Sequence, residues 1–244
     1  MKTLEEIHSS EHLILFDLRL LELDEVHLDN GNIEYSNKLI YKNALEFFGT
    51  KLKTVFLGGD HSISYSIVRA FLDYCRQNEK EPCLIVFDAH ADCMTPMQEP
   101  THEEWLRGII EAGFPAENIL LVGARNMWKD EIEFLKKNKI KMVGMDSLLN
   151  DLHETCDTIM EFASNKELYI SIDIDIIDPA FAPATGYCEP GGLTSRQFIY
   201  LIQRMNKIKN LKAVDLVEVN PEKDEKFSGM TIKLGARILG ELYV

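Results

Sequence analysis

The chain has 244 residues, 40 acidic and 26 basic, and a formal net charge of −14 at neutral pH. This length fits one large α/β domain, and the acidic balance disfavours a nucleic-acid partner because there is no surplus of cations to neutralise phosphates. Five cysteines, an odd number without CxxC spacing, argue against a disulfide framework and a thiolate zinc site. A cationic small substrate and a reducing compartment are favoured instead.

Nothing in the sequence indicates export or membrane insertion. Residues 1–6 lack the basic start and apolar run of a signal peptide. No apolar stretch approaches the roughly 20 residues that a membrane span needs. We therefore expect a cytoplasmic protein without a membrane partner.

Short β-branched runs alternate with longer amphipathic runs, which is typical of a parallel sheet covered by helices. The predicted strands are 13–17, 54–57, 83–88, 118–122, 141–143, 168–173 and 213–218. The predicted helices are 37–48, 63–78, 103–112, 129–137, 148–164, 195–205 and 228–239. We predict an α/β fold, a three-layer α/β/α sandwich with a mostly parallel central sheet, in a single domain of residues 1–244.

Three runs with metal-ligand character follow predicted strands: Gly58-Gly59-Asp60-His61-Ser62, Asp88-Ala89-His90-Ala91-Asp92, and Ser171-Ile172-Asp173-Ile174-Asp175-Ile176-Ile177-Asp178-Pro179. Carboxylates mixed with imidazoles suit Mn²⁺ better than a thiolate-preferring ion, and carboxylates can bridge two such ions. Long loops are predicted at 93–101 and 178–192, directly after the second and third runs. Ligands bind at the carboxyl ends of parallel strands, so these loops should form a pocket.

The acids in these runs can also be explained without a metal, as solvated loop residues or helix N-caps. Asp60 fits that explanation, or a role as a partner of His61. Asp88 and Asp173, however, end apolar strands, where an unpaired charge is expensive and a divalent cation would compensate it. If 88–92 stays extended, alternate residues point the same way and Asp88, His90 and Asp92 converge. The same geometry would align Asp173 with Asp175.

With these runs in this order, and with Val217-Glu218-Val219-Asn220-Pro221 near the end, the chain resembles the ureohydrolases, the family of arginase and agmatinase. The resemblance implies an arginase/deacetylase-like fold and two Mn²⁺ per subunit. It implies that one ion is bound by His61, Asp88, Asp92 and Asp173. The other would be bound by His90, Asp88, Asp173 and Asp175, so that Asp88 and Asp173 bridge ions about 3.5–4 Å apart.

The resemblance also implies a mechanism in which Asp88 acts as a bridging catalytic ligand. Two such ions lower the pKa of a shared water, and the resulting hydroxide would attack a guanidinium carbon. Glu218 resembles the glutamate that holds the guanidinium group, and His102 resembles the histidine that protonates the leaving amine. Alternatively, Thr101 and Glu104 form a helix capping box, which would leave His102 on the surface.

Met94 and Tyr187 depart from the arginase pattern. Met94 stands where arginase-type chains carry an asparagine, and a thioether cannot donate hydrogen bonds to a carboxylate. Tyr187-Cys188 replaces the common Thr-Pro, and Tyr187 could narrow the pocket mouth. We therefore predict substrate contacts from Glu218, His102, Met94 and Tyr187, and a cationic guanidino substrate, agmatine, cleaved to putrescine. Arginine, guanidinobutyrate and formiminoglutamate are the alternative substrates.

Two other classes of protein are compatible with the fold. One is a non-catalytic metal-binding protein with a regulatory or assembly role, and the other is a single-metal amide hydrolase like the deacetylases. The family resemblance also implies a homo-oligomer, a trimer or a hexamer. We expect surface positions for His8, His12, His27 and His153, core positions for Trp105 and Trp128, and a loop-orienting role for Asp178. Cys188 has no neighbouring base that would make it a nucleophile.

Overall fold

The computed structural model describes residues 25–29 and 31–242, and this part of the chain contains one sheet of six parallel strands. The strand order is β1-β6-β5-β2-β3-β4. The strands are β1 Thr54–Leu57, β2 Pro82–Phe87, β3 Ile119–Val122, β4 Lys141–Val143, β5 Glu167–Asp173 and β6 Leu211–Val217. The predicted strand 13–17, with His8 and His12, lies outside the described residues.

Helices connect the strands in the described ranges. They are α1 Ile33–Phe48, α2 Ile63–Gln77, α3 Trp105–Glu111, α4 Lys129–Asn138, α5 Met145–Asn150, α6 Leu152–Phe162, α7 Ser195–Met205, α8 Pro221–Asp224 and α9 Met230–Glu241. Short 3₁₀ turns lie at Ala116–Asn118, Ile174–Ile176 and Glu225–Phe227. None of the helices in these ranges is both long and apolar enough to cross a bilayer.

Each face of the sheet is covered by its own apolar layer. In β2, Cys83, Ile85 and Phe87 pack with residues of α6, α7 and α9, whereas Leu84 and Val86 pack with residues of α1, α2 and α3. This alternation follows from the two-residue period of a strand. Because both faces are buried, the central strands are apolar throughout, as parallel sheets require. The predicted three-layer α/β/α sandwich is confirmed.

Three helix predictions were wrong at their boundaries, and one short helix was missed. The first helix begins at Ile33 and not at residue 37. The predicted helix 148–164 is two helices, because Asp151 caps α6 by accepting a hydrogen bond from the backbone N–H of Glu154 at 2.9 Å. The last helix begins at Met230, since Ser228 and Gly229 adopt positive φ angles of 57° and 70°. The short α8 was missed, although Asn220 caps it and a proline occupies its first turn.

The strand register places the functional motifs side by side at the carboxyl edge of the sheet. Phe87 pairs with Ile172, so Asp88 follows directly beside Asp173, the last residue of β5. Asp173 in turn pairs with Val217, which precedes Glu218. Residues 93–101 and 178–192 form neither a helix nor a strand, so the two predicted loops are confirmed. Both leave the sheet at this edge.

Candidate metal centre and pocket

The imidazole of His61 faces three carboxylates. Its Nδ1 lies 3.1 Å from Oδ2 of Asp88, 3.1 Å from Oδ2 of Asp92 and 3.3 Å from Oδ2 of Asp173. The side chains of His61 and Asp88 are each 1% exposed. These four side chains are the ones that the family resemblance assigns to one ion.

His90 forms the centre of a second group. Its Nδ1 lies 2.9 Å from Oδ2 of Asp175 and 3.5 Å from Oδ1 of Asp88. Asp88 therefore directs one oxygen toward each histidine, which is the orientation of a bridging carboxylate. Asp173 directs Oδ2 toward His61, while its Oδ1 accepts the backbone N–H of Asp175 at 2.8 Å. The structure thus brings all six predicted metal ligands together.

The ligands converge through turns and not, as predicted, through an extended segment. Residues 88–92 leave the strand, and Asp92 has a positive φ of 49°. Its side chain is held by the indole N–H of Trp105, which donates to Oδ2 at 2.8 Å. Asp175 lies in the 3₁₀ turn Ile174–Ile176, so it does not share a strand face with Asp173. Turn geometry directs the side chains of His90 and Asp175 to one side of the Asp88 carboxylate and the side chain of Asp92 to the other, toward His61.

A buried polar network orients His61. Its Nε2 lies 2.8 Å from Oγ of Ser171, and that hydroxyl donates to Oδ1 of Asp215 at 2.7 Å. Tyr169 and Ser64 donate to the other oxygen of Asp215, at 2.7 and 2.8 Å. Ser171 uses its own proton on Asp215, so its oxygen accepts the Nε2–H of His61. In the neutral imidazole this leaves the lone pair on Nδ1, the nitrogen that faces the three carboxylates.

Asp60 is not the partner of His61. Its Oδ1 accepts hydrogen bonds from the backbone N–H of Ser62, at 3.0 Å, and from the Ser62 hydroxyl. It therefore shapes the turn into α2, as the explanation without a metal predicted. The partner of His61, Ser171, was missed by the sequence analysis, although a serine inside the apolar run Tyr169-Ile170-Ser171-Ile172 was a usable signal.

The crowded charges shift the pKa values of the site. Burial lowers the pKa of His90, but the carboxylates of Asp175 and Asp88 outweigh burial and raise it to about 12. Burial also lowers the pKa of His61, but the carboxylates of Asp173, Asp88 and Asp92 raise it well above its ordinary value. Burial and the neighbouring Asp88 raise the pKa of Asp92 to about 7. Protonated imidazoles therefore compensate part of this negative charge, and the guanidinium of Arg125 interacts with Asp175 and Asp88 as well.

The donor set fits a pair of hard divalent ions. Nδ1 of His61 and Oδ2 of Asp88 are buried without a hydrogen-bond partner among the described residues, so both atoms are available to a metal once the ring has lost its proton. The ligand atoms of His61, Asp88 and Asp92 lie within 4.8 Å of one another, and so do those of Asp88, His90 and Asp175. Carboxylate oxygens outnumber imidazoles, and the adjacent Cys93 thiol is buried with its pKa raised by burial. This chemistry matches Mn²⁺ or a similar ion.

Glu218 lies at the wall of a pocket that opens onto this cluster. Its Oε1 accepts the backbone N–H of His61 at 2.9 Å, and its backbone has a positive φ of 64°. A Cβ on Gly186 would come within 3.1 Å of Oε2, so glycine leaves room beside that oxygen. One carboxylate oxygen is thus fixed by the protein while the other remains for a ligand.

His102 and Tyr187 face each other in the same pocket. Their rings are stacked with centroids 6.3 Å apart, and Tyr187 also meets the ring of His90 edge-on at 6.0 Å. Glu104 accepts hydrogen bonds from the N–H and hydroxyl of Thr101, at 2.9 and 2.5 Å, but α3 begins only at Trp105. The Thr101–Glu104 pair therefore forms a turn before the helix, and this turn carries His102 into the pocket.

Several pocket-lining residues were not singled out from the sequence. Besides the predicted Met94, the lining includes Glu103, Asn126, Trp128, Glu131 and Thr185.

The expected core position of Trp128 was wrong, because 70% of this residue is exposed; Trp105 is fully buried, as expected. The hydroxyl of Thr185 is buried without a hydrogen-bond partner. His27 and His153 are exposed, as predicted.

Loop 178–192 is held in place from both ends. Asp178 accepts the backbone N–H groups of Ala180, Gly191 and Gly192, at 2.9, 2.8 and 3.3 Å, which confirms its predicted loop-orienting role. Arg125 donates to the backbone carbonyls of Asp175, Glu189 and Pro190, at 2.7, 2.6 and 3.1 Å. These bonds fix the segment that carries Tyr187.

Comparisons with known proteins agree with this geometry. Mitochondrial arginase 1 of Oryza sativa subsp. indica is 33% identical over 193 residues, which are 78% of this chain and 54% of the rice protein. The agmatinase of Bacillus subtilis (strain 168) is 28% identical over 231 residues, which are 93% of this chain and 76% of the agmatinase. The chain spans about half of the length of the plant arginases that it matches.

A solved structure shows the same fold. Formimidoylglutamase from Bacillus subtilis superposes with a TM-score of 0.83 at 24% identity, covering 91% of this chain and 70% of that one. The sequence model of the arginase family matches residues 1–244. Because that match runs along the whole sequence, this chain belongs to the arginase family.

Proposed function

We propose that this protein is a binuclear manganese hydrolase that cleaves a C–N bond of a guanidino compound to release urea. The observation that carries the proposal is the convergence of His61, His90 and four aspartates around the shared carboxylate of Asp88. Two further groups support it, because Glu218 and His102 line the pocket directly above this cluster. A purely structural role would not explain why Nδ1 of His61 and Oδ2 of Asp88 are buried without hydrogen-bond partners among the described residues.

In the proposed enzyme, His61, Asp88, Asp92 and Asp173 would hold one ion, and His90, Asp88, Asp173 and Asp175 would hold the other. When bound, such a pair would supply Lewis acidity and would lower the pKa of water near neutral pH. Ser171 keeps His61 in the tautomer that offers Nδ1 to the ion. Trp105 keeps Asp92 turned toward the same point.

Glu218 orients the guanidinium group in this proposal. Its Oε1 is engaged by the N–H of His61, and Oε2 is directed past Gly186 and can accept an N–H of a planar cation. Orientation of the guanidinium carbon above the metal pair is a large part of the rate enhancement, because reactants held in place avoid an entropic cost. His102 lines the same pocket and is the group that we assign to proton delivery to the leaving amine.

The preferred substrate is agmatine, whose cleavage yields putrescine. No lysine or arginine is among the residues that line the pocket, and Met94 cannot bind a carboxylate. Arginine, guanidinobutyrate and formiminoglutamate all carry carboxylates, which would find no lysine or arginine side chain in the described part of this lining. The same acidic lining favours a substrate with a positive charge at its tail.

The test is urea release by the Mn²⁺-loaded protein from agmatine, arginine, guanidinobutyrate and guanidinopropionate, together with formamide release from formiminoglutamate. We expect turnover of agmatine and two ions per chain. Asp88→Ala should abolish both the activity and the second ion, since Asp88 contacts both histidine groups. Two bound ions with no turnover of any compound would instead favour the metal-binding, non-catalytic alternative. One ion per chain would favour the single-metal amide hydrolase.

A homo-oligomer, trimer or hexamer, and a cytoplasmic location stay predictions from the sequence. Size-exclusion chromatography with light scattering tests the first of these. A mass of one chain, 28.0 kDa, would contradict it.

A further inference from the structure

Two exposed aromatic side chains line the pocket, and among the described residues no lysine or arginine does. Trp128 is 70% exposed and Tyr187 is 57% exposed, yet both line the pocket that leads to Glu218. Large aromatic residues exposed at the mouth of a pocket are candidates for ligand contact, since water solvates them poorly. The neighbouring lining residues Met94 and Glu103 add an apolar and an acidic group.

The position of Trp128 is fixed relative to the metal ligands. Its backbone N–H donates to Oε2 of Glu131 at 2.8 Å, and Oε1 of Glu131 accepts the N–H of Cys93 at 2.9 Å. Cys93 follows the ligand Asp92 directly. The carboxylate of Glu131, a residue that is 4% exposed, thus connects the backbone of Trp128 with that of Cys93 and adds negative charge to the pocket lining.

The position of Tyr187 is fixed as well. Its ring stacks on His102 and meets His90 edge-on, and its loop is held by Arg125 and Asp178. Nε and Nη2 of Arg125 donate to backbone carbonyls of this loop, and the Lys223 ammonium donates to the carbonyls of Thr185 and Gly186. Neither residue is among the described residues that line the pocket.

Aromatic faces attract ammonium groups through the ring quadrupole, and tryptophan does so best. Two such rings with Glu103 and Glu131 among the lining residues are complementary to a primary ammonium, and not to a carboxylate or a neutral tail. We infer that Trp128 and Tyr187 form a subsite for the terminal ammonium of the substrate, so that the enzyme selects guanidino compounds with a positive charge at both ends. This inference rests on the proposed function, since it assigns the far end of the same substrate.

The kinetic test compares three substrates that differ only in their tail: agmatine with an ammonium, butylguanidine with a methyl group and guanidinobutyrate with a carboxylate. For Trp128→Leu we expect the KM for agmatine to rise about 2- to 30-fold with kcat retained. Tyr187→Leu should raise this KM as well, and only the KM is compared in that variant because Tyr187 packs on His102 and His90. Trp128→Leu should affect the kinetics with butylguanidine less than those with agmatine, and Trp128→Phe should restore part of the affinity for agmatine. Tyr35→Leu removes a 51% exposed tyrosine on α1 and is the matched control, with no expected effect.

A binding test uses the tryptophan itself. The chain has two tryptophans, and Trp105 is fully buried, so a change in emission on ligand binding at the mouth reports on Trp128. Titration of the Mn²⁺-loaded protein with putrescine should change the emission, whereas butyrate should not. Trp128→Phe should remove the change.

The outcomes separate this inference from the proposed function. Urea release from agmatine with equal losses for agmatine and butylguanidine in Trp128→Leu would overturn the subsite and leave the hydrolase intact. A putrescine response of Trp128 without urea release from any compound would support the subsite and contradict the hydrolase. A putrescine response that persists in Trp128→Phe would also overturn the subsite.

Discussion

Ser171 and Asp215 are register partners on adjacent strands, β5 and β6, and the Ser171 hydroxyl donates to the Asp215 carboxylate at 2.7 Å. Both residues are fully buried, and burial raises the pKa of Asp215 although three hydroxyl donors act against it. The serine oxygen in turn accepts Nε2–H of His61 at 2.8 Å. The sheet register therefore determines which nitrogen of His61 faces the metal site.

Ser171→Ala should weaken metal binding. Removing the acceptor frees the His61 ring to rotate or change tautomer, and such partners of metal ligands are worth about 10- to 100-fold in metal affinity. The measurement is a Mn²⁺ titration followed by calorimetry. Ser66→Ala is the matched control, because Ser66 is also fully buried but its hydroxyl has no partner. Equal affinities of the Ser171→Ala and unchanged proteins would contradict the orienting role.

Metal binding should become tighter as pH rises. In the metal-free protein the nearby carboxylates raise the pKa of His61 well above its ordinary value and that of His90 to about 12, so both rings carry protons at neutral pH. A metal can bind only the deprotonated rings, and each binding event must release those protons. Asp92, with a pKa raised to about 7 by burial and by Asp88, adds a third proton below that pH.

The affinity for Mn²⁺ should therefore rise between about pH 6 and 8, and most steeply below about pH 7 where Asp92 is also protonated. Calorimetry in two buffers of different ionisation enthalpy counts the protons released. A pH-independent affinity, or uptake of protons on binding, would contradict the assignment of these residues as ligands.

The sheet and the residues that cluster at its carboxyl edge were predictable, because each is indicated by a local pattern. Apolar runs such as Leu84-Ile85-Val86-Phe87 specify buried strands, and the carboxylates that end them are costly without compensation. The boundaries of α2 and α7 were correct to within a residue. Local sequence was sufficient wherever one segment carries the whole signal.

The way in which the ligands converge was not predictable in the same manner. The positive φ angles of Asp92 and Glu218 cost energy locally and are maintained by contacts from other segments, such as the Trp105 indole and the N–H of His61. The partnership of Ser171 with Asp215 depends on strand register across 44 residues. The exposure of Trp128 depends on where α4 begins, because Trp128 is the residue that caps this helix. These features arise from tertiary contacts that periodicity does not encode.

Gly123→Ala should destabilise the fold. Gly123 follows β3 with a φ of 95°, and an added Cβ would overlap Cδ1 of Ile176, in the turn that carries Asp175. The positive φ alone costs a residue with a Cβ about 1–2 kcal/mol of unfolding free energy, and the overlap adds to it. Denaturant unfolding measures the loss. Gly240→Ala in α9 is the control: apart from its own helix backbone, no atom of the described residues lies within 4 Å of the added Cβ, and alanine should stabilise the helix by about 0.5–1 kcal/mol. Equal stability of the Gly123→Ala and unchanged proteins would contradict the tight approach of Ile176.

Glu218→Gln should separate guanidinium binding from metal binding. The amide oxygen can still accept the N–H of His61, which Oε1 accepts at 2.9 Å in the unchanged protein, so the backbone at positive φ and the position of His61 should be preserved. The variant loses the negative charge that pairs with a guanidinium, and removing one partner of a partly buried charge pair costs about 2–5 kcal/mol. We expect kcat/KM for the guanidino substrate to fall at least about 30-fold while two Mn²⁺ remain bound.

Asp60→Asn is the control for Glu218→Gln, because Asp60 is an exposed acid beside the same segment that only shapes the turn into α2. It should change kcat/KM little, since its charge is solvated and its turn-forming oxygen is kept as an amide oxygen. Loss of Mn²⁺ from Glu218→Gln would show that Glu218 acts through His61 and the metal centre. Retained activity would show that another group holds the guanidinium. Only loss of activity with both ions retained agrees with the direct contact that the free Oε2 beside Gly186 allows.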